Sequence, residues 1–299
     1  MNTTHDDENP ITILIYITDK CNMNCVYCYN IFPRNNNDLD QDCLLKFIDD
    51  VNFKTHRKLN ILLIGGEPTL YKNIHSLISE LKNRQFVNQI EVFTNFSRDM
   101  SFYNDLLSND IKLVCSWHDE IDDRSFITNL NNISNDMVDN IVEISMMFEH
   151  DNCDRWSNVI DGIRHKYSRV IRPWILYHKE KIFEYEEYQK KIFARTVLKL
   201  NKVKIQDFLH TENPFNSIFD YFSDPYQESF INKICSAGFD TLYIHNNGNV
   251  YKCQNDFFYD KPKLYNIMEN NSIFDMSCYH NWKCVCEYCR HGNFGVTVT

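Results

Sequence analysis

The chain has 299 residues, of which 43% are hydrophobic and 24% charged, and its formal net charge is −10. A chain of this size can bury one large core and carry a small second domain, and its negative charge argues against a nucleic-acid binder with a broad basic face. The amino-terminal residues are polar and acidic and no later run reaches about 18 apolar residues, so neither a secretion signal nor a membrane span is indicated. We therefore expect a cytoplasmic protein, in which 12 cysteines are better explained by metal than by disulfides.

Strands alternate with helical stretches along most of the chain, which predicts a parallel sheet with crossover helices. The strand candidates lie at 11–18, 60–65, 89–95, 111–117, 141–148 and 169–177. The stretches with helical periodicity lie at 39–55, 73–86, 99–108, 123–138, 154–167 and 182–200. In such sheets ligands bind at the carboxyl ends of the strands, so the residues that follow each strand are the site candidates.

Three cysteines follow the first strand with the spacing C-x3-C-x2-C, namely Cys21, Cys25 and Cys28. An iron–sulfur cube needs four ligands, and thiolates are the usual choice. A loop that supplies three thiolates therefore leaves one iron open to a ligand that is not protein. On its own, the triad also fits zinc with a fourth ligand from elsewhere, or part of a disulfide framework.

A second motif, Gly65-Gly66-Glu67-Pro68, ends the second predicted strand. Together the two motifs resemble the radical S-adenosylmethionine (radical SAM) enzymes, whose signature is C-x3-C-x-Φ-C with an aromatic residue before the last cysteine, here Tyr27. The family's GGE motif also ends its second strand. The small residues let backbone come close to a ligand, and the resemblance implies that Glu67 accepts a hydrogen bond from the amino group of the methionine moiety. The pair of motifs favours this family over zinc or disulfides.

The resemblance implies a fold, a cofactor and a reaction. The fold is an open, partial barrel of six β/α units over residues 10–200. Cys21, Cys25 and Cys28 would hold a 4Fe–4S cluster whose fourth iron is chelated by S-adenosylmethionine (SAM). One electron, from a donor such as flavodoxin or ferredoxin, would cleave the sulfonium C–S bond and give a 5′-deoxyadenosyl radical that removes a hydrogen atom from the substrate.

Two later strand ends carry further cofactor candidates. Thr94-Asn95-Phe96 resembles the Thr-Asn-Gly that often follows the third strand in this family, with Phe96 in place of the glycine. Asn95 is carried over as a SAM contact. Ser116 ends the fourth strand, where a serine in related enzymes commonly binds the ribose or carboxylate of SAM; a strand-end hydroxyl that satisfies a backbone group is the alternative.

Other side chains near the strand ends each have two interpretations. His118 and Asp119 would face the barrel mouth, where a proton acceptor is useful once a substrate radical must lose a proton, but a solvated loop histidine fits as well. Arg172 fits a bidentate pair with the SAM carboxylate or a surface position. Candidates for the substrate cavity are Glu149, Tyr177 and His178, with Cys153 as a hydrogen-atom donor, whereas Cys43 and Cys115 are expected to be core thiols.

A second cysteine cluster lies in the predicted C-terminal domain, residues 233–299, after a connecting segment at 201–232. Cys235 and Cys253 flank a predicted hairpin with an Asn-Gly turn, which would bring them together. Four more cysteines follow, at positions 278, 284, 286 and 289.

The hairpin and its cysteines resemble the auxiliary-cluster domains that follow some radical SAM barrels, called SPASM with two clusters and twitch with one. We expect a twitch-like domain with one auxiliary 4Fe–4S cluster on Cys235, Cys253, Cys286 and Cys289, although the choice among the last four cysteines is open. A zinc ribbon on the same cysteines is the alternative.

The sequence leaves the substrate open. Enzymes of this type modify ribosomal peptides or protein side chains, or dehydrogenate carbohydrates and other small alcohols. We expect a peptide or protein substrate because that activity is frequent in the family. A small-molecule dehydrogenase is the alternative, and a non-catalytic iron–sulfur or zinc protein is the third hypothesis.

Overall fold

The computed structural model describes residues 9–28, 35–178, 181–182, 184–223, 234–235, 237–258, 261–269 and 282–283. Two compact units divide the chain: unit 1 comprises residues 1–22, 32–93 and 228–299, and unit 2 comprises residues 23–31 and 94–227. The fold is mixed α/β with a parallel sheet that is not closed, as a partial barrel requires, and the predicted fold class is confirmed. The bounds of the predicted domains stay a prediction.

The strands are β1 (Ile11–Thr18), β2 (Leu59–Gly65), β3 (Val87–Thr94), β4 (Lys112–Trp117), β5 (Ile141–Phe148), β6 (Ile171–Ile175), β7 (Tyr177–His178), β8 (Lys181–Ile182), β9 (Ile234–Cys235), β10 (Thr241–Ile244), β11 (Asn249–Tyr251), β12 (Tyr265–Asn266) and β13 (Trp282–Lys283). The helices are α1 (Gln41–Thr55), α2 (Ile74–Lys82), α3 (Met100–Ser108), α4 (Asp123–Asn132), α5 (Cys153–Tyr167), α6 (Glu187–Lys199), α7 (Pro214–Ser223) and α8 (Gln254–Phe258). Short 3₁₀ turns occupy Pro68–Leu70, Asn135–Asn140, His150–Asn152 and Ile205–Phe208. In the described part of the chain, no helix is both long and apolar enough to cross a membrane.

Local capping explains where several helices begin. The side chains of Asp40, Asp99 and Asp122 accept backbone N–H groups in the first turns of α1, α3 and α4, which satisfies donors that a helix start leaves without partners. A capping box between Glu186 and Gln189 starts α6. The helix predicted over 182–200 therefore begins several residues later than expected.

The end of the sixth strand was predicted wrongly. The strand expected over 169–177 ends at Ile175, and Tyr177 and His178 form β7, which pairs with β8 in a separate antiparallel pair. The helix expected over 123–138 ends at Asn132, because Asn and β-branched residues with low helix propensity follow and a 3₁₀ turn takes over.

In unit 1 the strands have the spatial order β12-β11-β10-β1-β2-β3. β1, β2 and β3 are parallel, with Ile13 opposite Ile61 and Ile61 opposite Ile90. All eight residues of β1 are buried, as expected for a strand covered on both faces. The predicted hairpin is confirmed: β10 and β11 are antiparallel, and Gly248 has the positive φ of 82° that its turn requires.

The hairpin is part of the main sheet of unit 1, because β10 lies parallel to β1. A buried arginine stabilises this junction. Arg57 donates hydrogen bonds to the carbonyl oxygens of Asn9 (2.9 Å) and Phe239 (3.0 Å) and to the carboxylate of Asp240 (2.8 Å). Its guanidinium also lies 4.8 Å from the centre of the Phe239 ring.

Unit 2 contains the parallel strands β4-β5-β6 in that order. One face of this sheet packs on helices through large apolar side chains. The Phe148 ring of β5 lies 4.8 Å from Trp156 of α5 and 5.0 Å from Phe193 of α6. Because side chains alternate along a strand, the neighbouring residues point to the opposite face, and that face carries polar groups.

Candidate active site

Hydrogen bonds fix the chain just before the cysteine motif. At the end of β1, the fully buried Thr18 donates its hydroxyl to the carboxylate of Asp38 at 2.7 Å, and the Lys20 ammonium pairs with the same carboxylate at 2.7 Å. The Asp19 carboxylate accepts the backbone N–H of Asn37 at 2.6 Å. The strand therefore enters the cysteine loop, residues 21–28, in a defined direction.

The GGE motif is joined to this same segment by backbone hydrogen bonds. The N–H of Gly66 donates to the carbonyl of Thr18 (2.8 Å), and the N–H of Glu67 donates to the carbonyl of Lys20 (2.7 Å). A Cβ on Gly65 would lie 2.5 Å from the Thr18 carbonyl oxygen, and one on Gly66 would lie 2.3 Å from that of Lys20. The glycines thus permit a contact between two chain segments, a reason that sequence analysis missed.

Glu67 is buried and has a fixed orientation. Its Oε1 accepts hydrogen bonds from the hydroxyl of Thr69 (2.6 Å) and from the N–H of Thr69 (3.1 Å), which caps the 3₁₀ turn that begins at Pro68. The side chain is therefore held by its own turn. The contact of Glu67 with the methionine amino group stays a prediction.

Cys25 and Cys28 lie in unit 2, where the N–H of Cys28 donates to the carbonyl of Cys25 at 3.1 Å and closes a turn. Cys21, Cys25 and Cys28 carry reduced thiols, and each is partly exposed. Over the residues that the structure describes, no three His, Cys, Asp or Glu side chains form a ready metal-binding group. The donor chemistry nevertheless fits the predicted cofactor, since thiols that are close together in the sequence are the ligands that iron–sulfur clusters use.

Tyr27 packs against His118, and both belong to unit 2. The phenol oxygen lies 3.1 Å from Nδ1 of His118, and the two rings are stacked with centres 6.0 Å apart. Burial, reinforced by the negative charges of Cys25 and Glu149, raises the pKa of Tyr27, and burial lowers the pKa of His118 to about 4. The pair is therefore neutral at pH 7. His118 is partly exposed, and its role as a proton acceptor stays a prediction.

The turn after β3 places Phe96 in a backbone conformation that usually favours glycine. Phe96 has a φ of 55°, in the left-handed region, and its buried ring stacks on Tyr103 at 4.1 Å. Asn95 is buried, and its Oδ1 accepts the N–H of Ser97 at 3.2 Å. Phe96 therefore has a backbone conformation that a glycine at this position would adopt freely.

A row of polar side chains crosses the face of the unit 2 sheet that lies opposite the Phe148 side. Ser116, Ser145 and Arg172 are opposite one another on β4, β5 and β6. The Glu143 carboxylate accepts hydrogen bonds from Ser145, from Arg172 (3.3 Å) and from the Trp174 indole (3.4 Å). Sequence analysis found Ser116 and Arg172 but missed the other three, which the alternation of polar and apolar residues in β5 and β6 would have indicated.

A protein-family comparison matches the segment that carries the cysteine motif and the GGE motif. Residues 15–146 match the model of the Radical SAM superfamily. This segment, which is less than half of the chain, is similar to radical SAM domains. The superfamily consists of enzymes, so the prediction of an enzyme is confirmed.

Curated relatives match only part of the chain. The GTP 3′,8-cyclase of Staphylococcus haemolyticus is 36% identical over 87 residues, which cover 27% of this chain and 26% of that one. The GTP 3′,8-cyclase of Thermodesulfovibrio yellowstonii is 30% identical over 121 residues, covering 38% and 36%. The chain thus aligns with 26% to 36% of the length of these two relatives, and their activity is not carried over.

Solved structures extend the similarity of fold beyond the radical SAM domain. One is anSMEcpe with bound AdoMet, which has 18% identity and a TM-score of 0.58 and covers 87% of this chain and 78% of that one. Another is Streptococcus suis SuiB bound to the precursor peptide SuiA, with 14% identity, a TM-score of 0.57 and coverage of 92% and 65%. At such identities the likeness shows the fold alone.

The C-terminal cysteines lie only partly in the described residues. Cys235 and Cys253 carry buried, reduced thiols. The Cys235 sulfur accepts the N–H of Ala237 at 3.4 Å, a type of hydrogen bond that tunes cluster thiolates. The other predicted ligands, Cys286 and Cys289, lie outside the described residues, as do Cys278 and Cys284.

The remaining candidates of the radical SAM domain and its surroundings have mixed outcomes. Asp119 forms an ion pair with Arg155 at 2.7 Å. Cys153 is buried, its thiol donates to the Glu149 carbonyl at 3.4 Å, and burial raises its pKa to about 12. Cys115 is a core thiol as expected, but Cys43 is partly exposed because it lies in the first turn of α1. The side chains of Tyr177 and His178 lie outside the described residues.

Proposed function

We propose that this protein is a radical SAM enzyme that modifies a peptide or protein. Its SAM-binding 4Fe–4S cluster would be held by Cys21, Cys25 and Cys28. The observation that carries the proposal is the pair of motifs within the matched segment, in which three partly exposed, reduced thiols follow a strand end that is hydrogen-bonded to the Gly66-Glu67 backbone. Such a loop offers three cluster ligands and leaves a fourth position for SAM.

The cofactors would supply the difficult chemistry, because a reduced cluster with bound SAM gives a carbon radical by one-electron cleavage of the sulfonium C–S bond. The chain would bind and orient the reactants. The carboxylate of Glu67, which Thr69 holds in place, would accept a hydrogen bond from the amino group of SAM. Gly65, Gly66 and Pro68 would let the backbone come close to SAM. Candidate contacts to the rest of SAM are Tyr27, Asn95 and Ser116.

We also propose one auxiliary 4Fe–4S cluster on Cys235, Cys253, Cys286 and Cys289. The burial of two of these thiols and the N–H donor at Cys235 support a metal-bound role. Four protein ligands would leave no open iron, which suits electron transfer. The cluster would accept the electron left on the oxidised substrate or would pass one inward. The zinc ribbon remains the alternative.

The substrate class rests on the chemistry of the neighbours in fold. SuiB is described with its precursor peptide, and anSMEcpe is also described with a Cp18Cys peptide. A small-molecule substrate is the second candidate, since the two cited relatives in sequence are named for a reaction of GTP.

Formation of 5′-deoxyadenosine tests the first step. We expect the anaerobically reconstituted protein to produce it from SAM and dithionite, as measured by liquid chromatography. Cys25→Ala should abolish the product, whereas Cys43→Ala, which removes a partly exposed thiol outside both motifs, should leave it unchanged. Absence of the product from the wild type, or its persistence in Cys25→Ala, contradicts the proposal and favours a non-catalytic metal protein.

The same assay separates the two clusters. Cys286→Ala should still yield 5′-deoxyadenosine but stop turnover of the true substrate; equal loss in both assays would indicate a structural metal. Mass spectrometry of the product then assigns the substrate class. A modified peptide supports the proposal, and a loss of about 2 Da from a sugar or alcohol, the mass of two hydrogen atoms removed in a dehydrogenation, overturns it.

A further inference from the structure

One arginine fixes the segment that follows β4. The guanidinium of Arg155, on α5, contacts both the backbone and the side chains of residues 119–123. Its contacts are the carbonyl (2.6 Å) and carboxylate (2.7 Å) of Asp119, the carbonyl of Ile121, the carboxylate of Asp123 (2.6 Å) and the ring of Trp117, 5.4 Å away. Because both neighbours of Glu120 are held, the backbone position of Glu120 is fixed.

This segment contacts the cysteine loop at two places, all within unit 2. Both carboxylate oxygens of Glu120 accept the backbone N–H of Asn24, each at 2.9 Å. His118, at the other end of the segment, is joined to Tyr27 by a hydrogen bond and by ring stacking. Asn24 directly precedes Cys25, and Tyr27 directly precedes Cys28, so each contact lies next to a thiol.

The geometry differs from that of an ordinary surface ion pair. Glu120 is exposed, and a mobile exposed carboxylate contributes little to stability. Here the carboxylate is aimed by a backbone that Arg155 holds on both sides, and it binds a backbone N–H, whose position follows the fold of the loop itself. A charge-assisted hydrogen bond of this kind is stronger than a neutral one.

We propose that Glu120 is a positioning residue for the cysteine loop, and that Arg155 holds it in place. The role rests on the proposed function, because positioning matters only if the neighbouring thiols bind a cluster. Its direct test does not need the cluster.

Amide hydrogen exchange of Asn24 in the metal-free protein measures the contact, with fragmentation to single residues in the mass spectrometer. We expect exchange to be roughly 2- to 10-fold faster in Glu120→Ala, as the loss of one hydrogen bond predicts, and also faster in Arg155→Ala. Glu120→Gln, which keeps one acceptor, should restore part of the protection. Arg164→Ala is the matched control, because Arg164 lies on the same helix in an exposed pair with Asp161.

Unchanged exchange at Asn24 in Glu120→Ala overturns the proposal, and this variant is informative even if Arg155→Ala does not fold. After reconstitution, Glu120→Ala should also lose iron to a chelator several-fold faster than Arg164→Ala, and equal rates would contradict the positioning role. If the wild type forms no cluster, the proposed function fails, whereas the exchange result still decides whether Glu120 orders the loop.

Discussion

At the scale of single residues, Phe96 shows how packing can offset backbone strain. Its left-handed conformation, φ 55°, costs a residue with a side chain about 1–2 kcal/mol, whereas glycine adopts it freely. The buried ring stacks on Tyr103 and meets the edge of Phe126 at 5.9 Å. Removal of a buried phenylalanine ring typically costs about 3–5 kcal/mol, so the packing term is larger than the strain.

Substitution of Phe96 tests this balance. We expect Phe96→Gly to lower the free energy of unfolding by about 2–3 kcal/mol, since relief of strain recovers part of the lost packing. Phe96→Ala should be less stable than Phe96→Gly, because alanine loses the ring and keeps the strain. Urea denaturation of the three proteins measures both differences. An alanine variant more stable than the glycine variant would show that the backbone there is not strained.

Sequence analysis selects candidate residues from local patterns. A local pattern is enough to select the first three cysteines and Glu67, because they follow apolar strands at recognisable spacings. Ser116 could be selected because it lies near the end of such a strand. The contacts of Glu120 and Arg155 could not be predicted, because they join residues 96 and 32–36 positions apart in the chain. The conformation of Phe96 likewise depends on a ring supplied by α3.

At the scale of elements, the carboxyl ends of β1 and β2 are joined because the GGE motif carries no side chain at its first two positions. Two backbone hydrogen bonds, from Gly66 to Thr18 and from Glu67 to Lys20, connect the strand ends. Any side chain at Gly66 would overlap the Lys20 carbonyl. The start of the cysteine loop and the orientation of Glu67 therefore depend on each other.

Gly66→Ala tests this coupling. Because the added methyl meets backbone rather than a flexible side chain, we expect a loss of about 1–3 kcal/mol, the usual cost of overpacking, and reduced iron uptake on reconstitution. Gly162→Ala is the control. Gly162 lies in α5, and its added methyl would meet only the side chain of Ile127, which can move, and no backbone atom. Thermal unfolding should separate the two variants; equal stabilities would mean that the strand ends accommodate a side chain.

Element types were easier to predict than element ends. Buried strands and amphipathic helices have distinct periodicities, which gave the alternation of β1–β6 with helices. Their limits depend on caps and on poor helix formers, as at Glu186 and after Asn132. The pair β7–β8 has no such periodicity, so its first residue, Tyr177, was assigned to the sixth strand and its last, Ile182, to the helix that follows.

At the scale of the whole molecule, the pairing partner of the C-terminal hairpin was not predictable from periodicity. The pattern at 241–253 gave the hairpin and its Asn-Gly turn, but not its position beside β1. That position is stabilised by Arg57, whose hydrogen bonds to residues 239 and 240 join segments 182 and 183 positions apart. A local pattern carries no information on such a contact.

We propose that Cys21, Cys25 and Cys28 hold a cubane cluster with one iron open to SAM. Electron paramagnetic resonance of the reduced, anaerobically reconstituted protein, recorded with and without SAM, tests it most directly. We predict a cubane signal whose shape changes on addition of SAM, with the SAM-sensitive part absent from Cys25→Ala and retained in Cys43→Ala. A protein with no cubane signal, or with one that SAM leaves unchanged, would contradict the account.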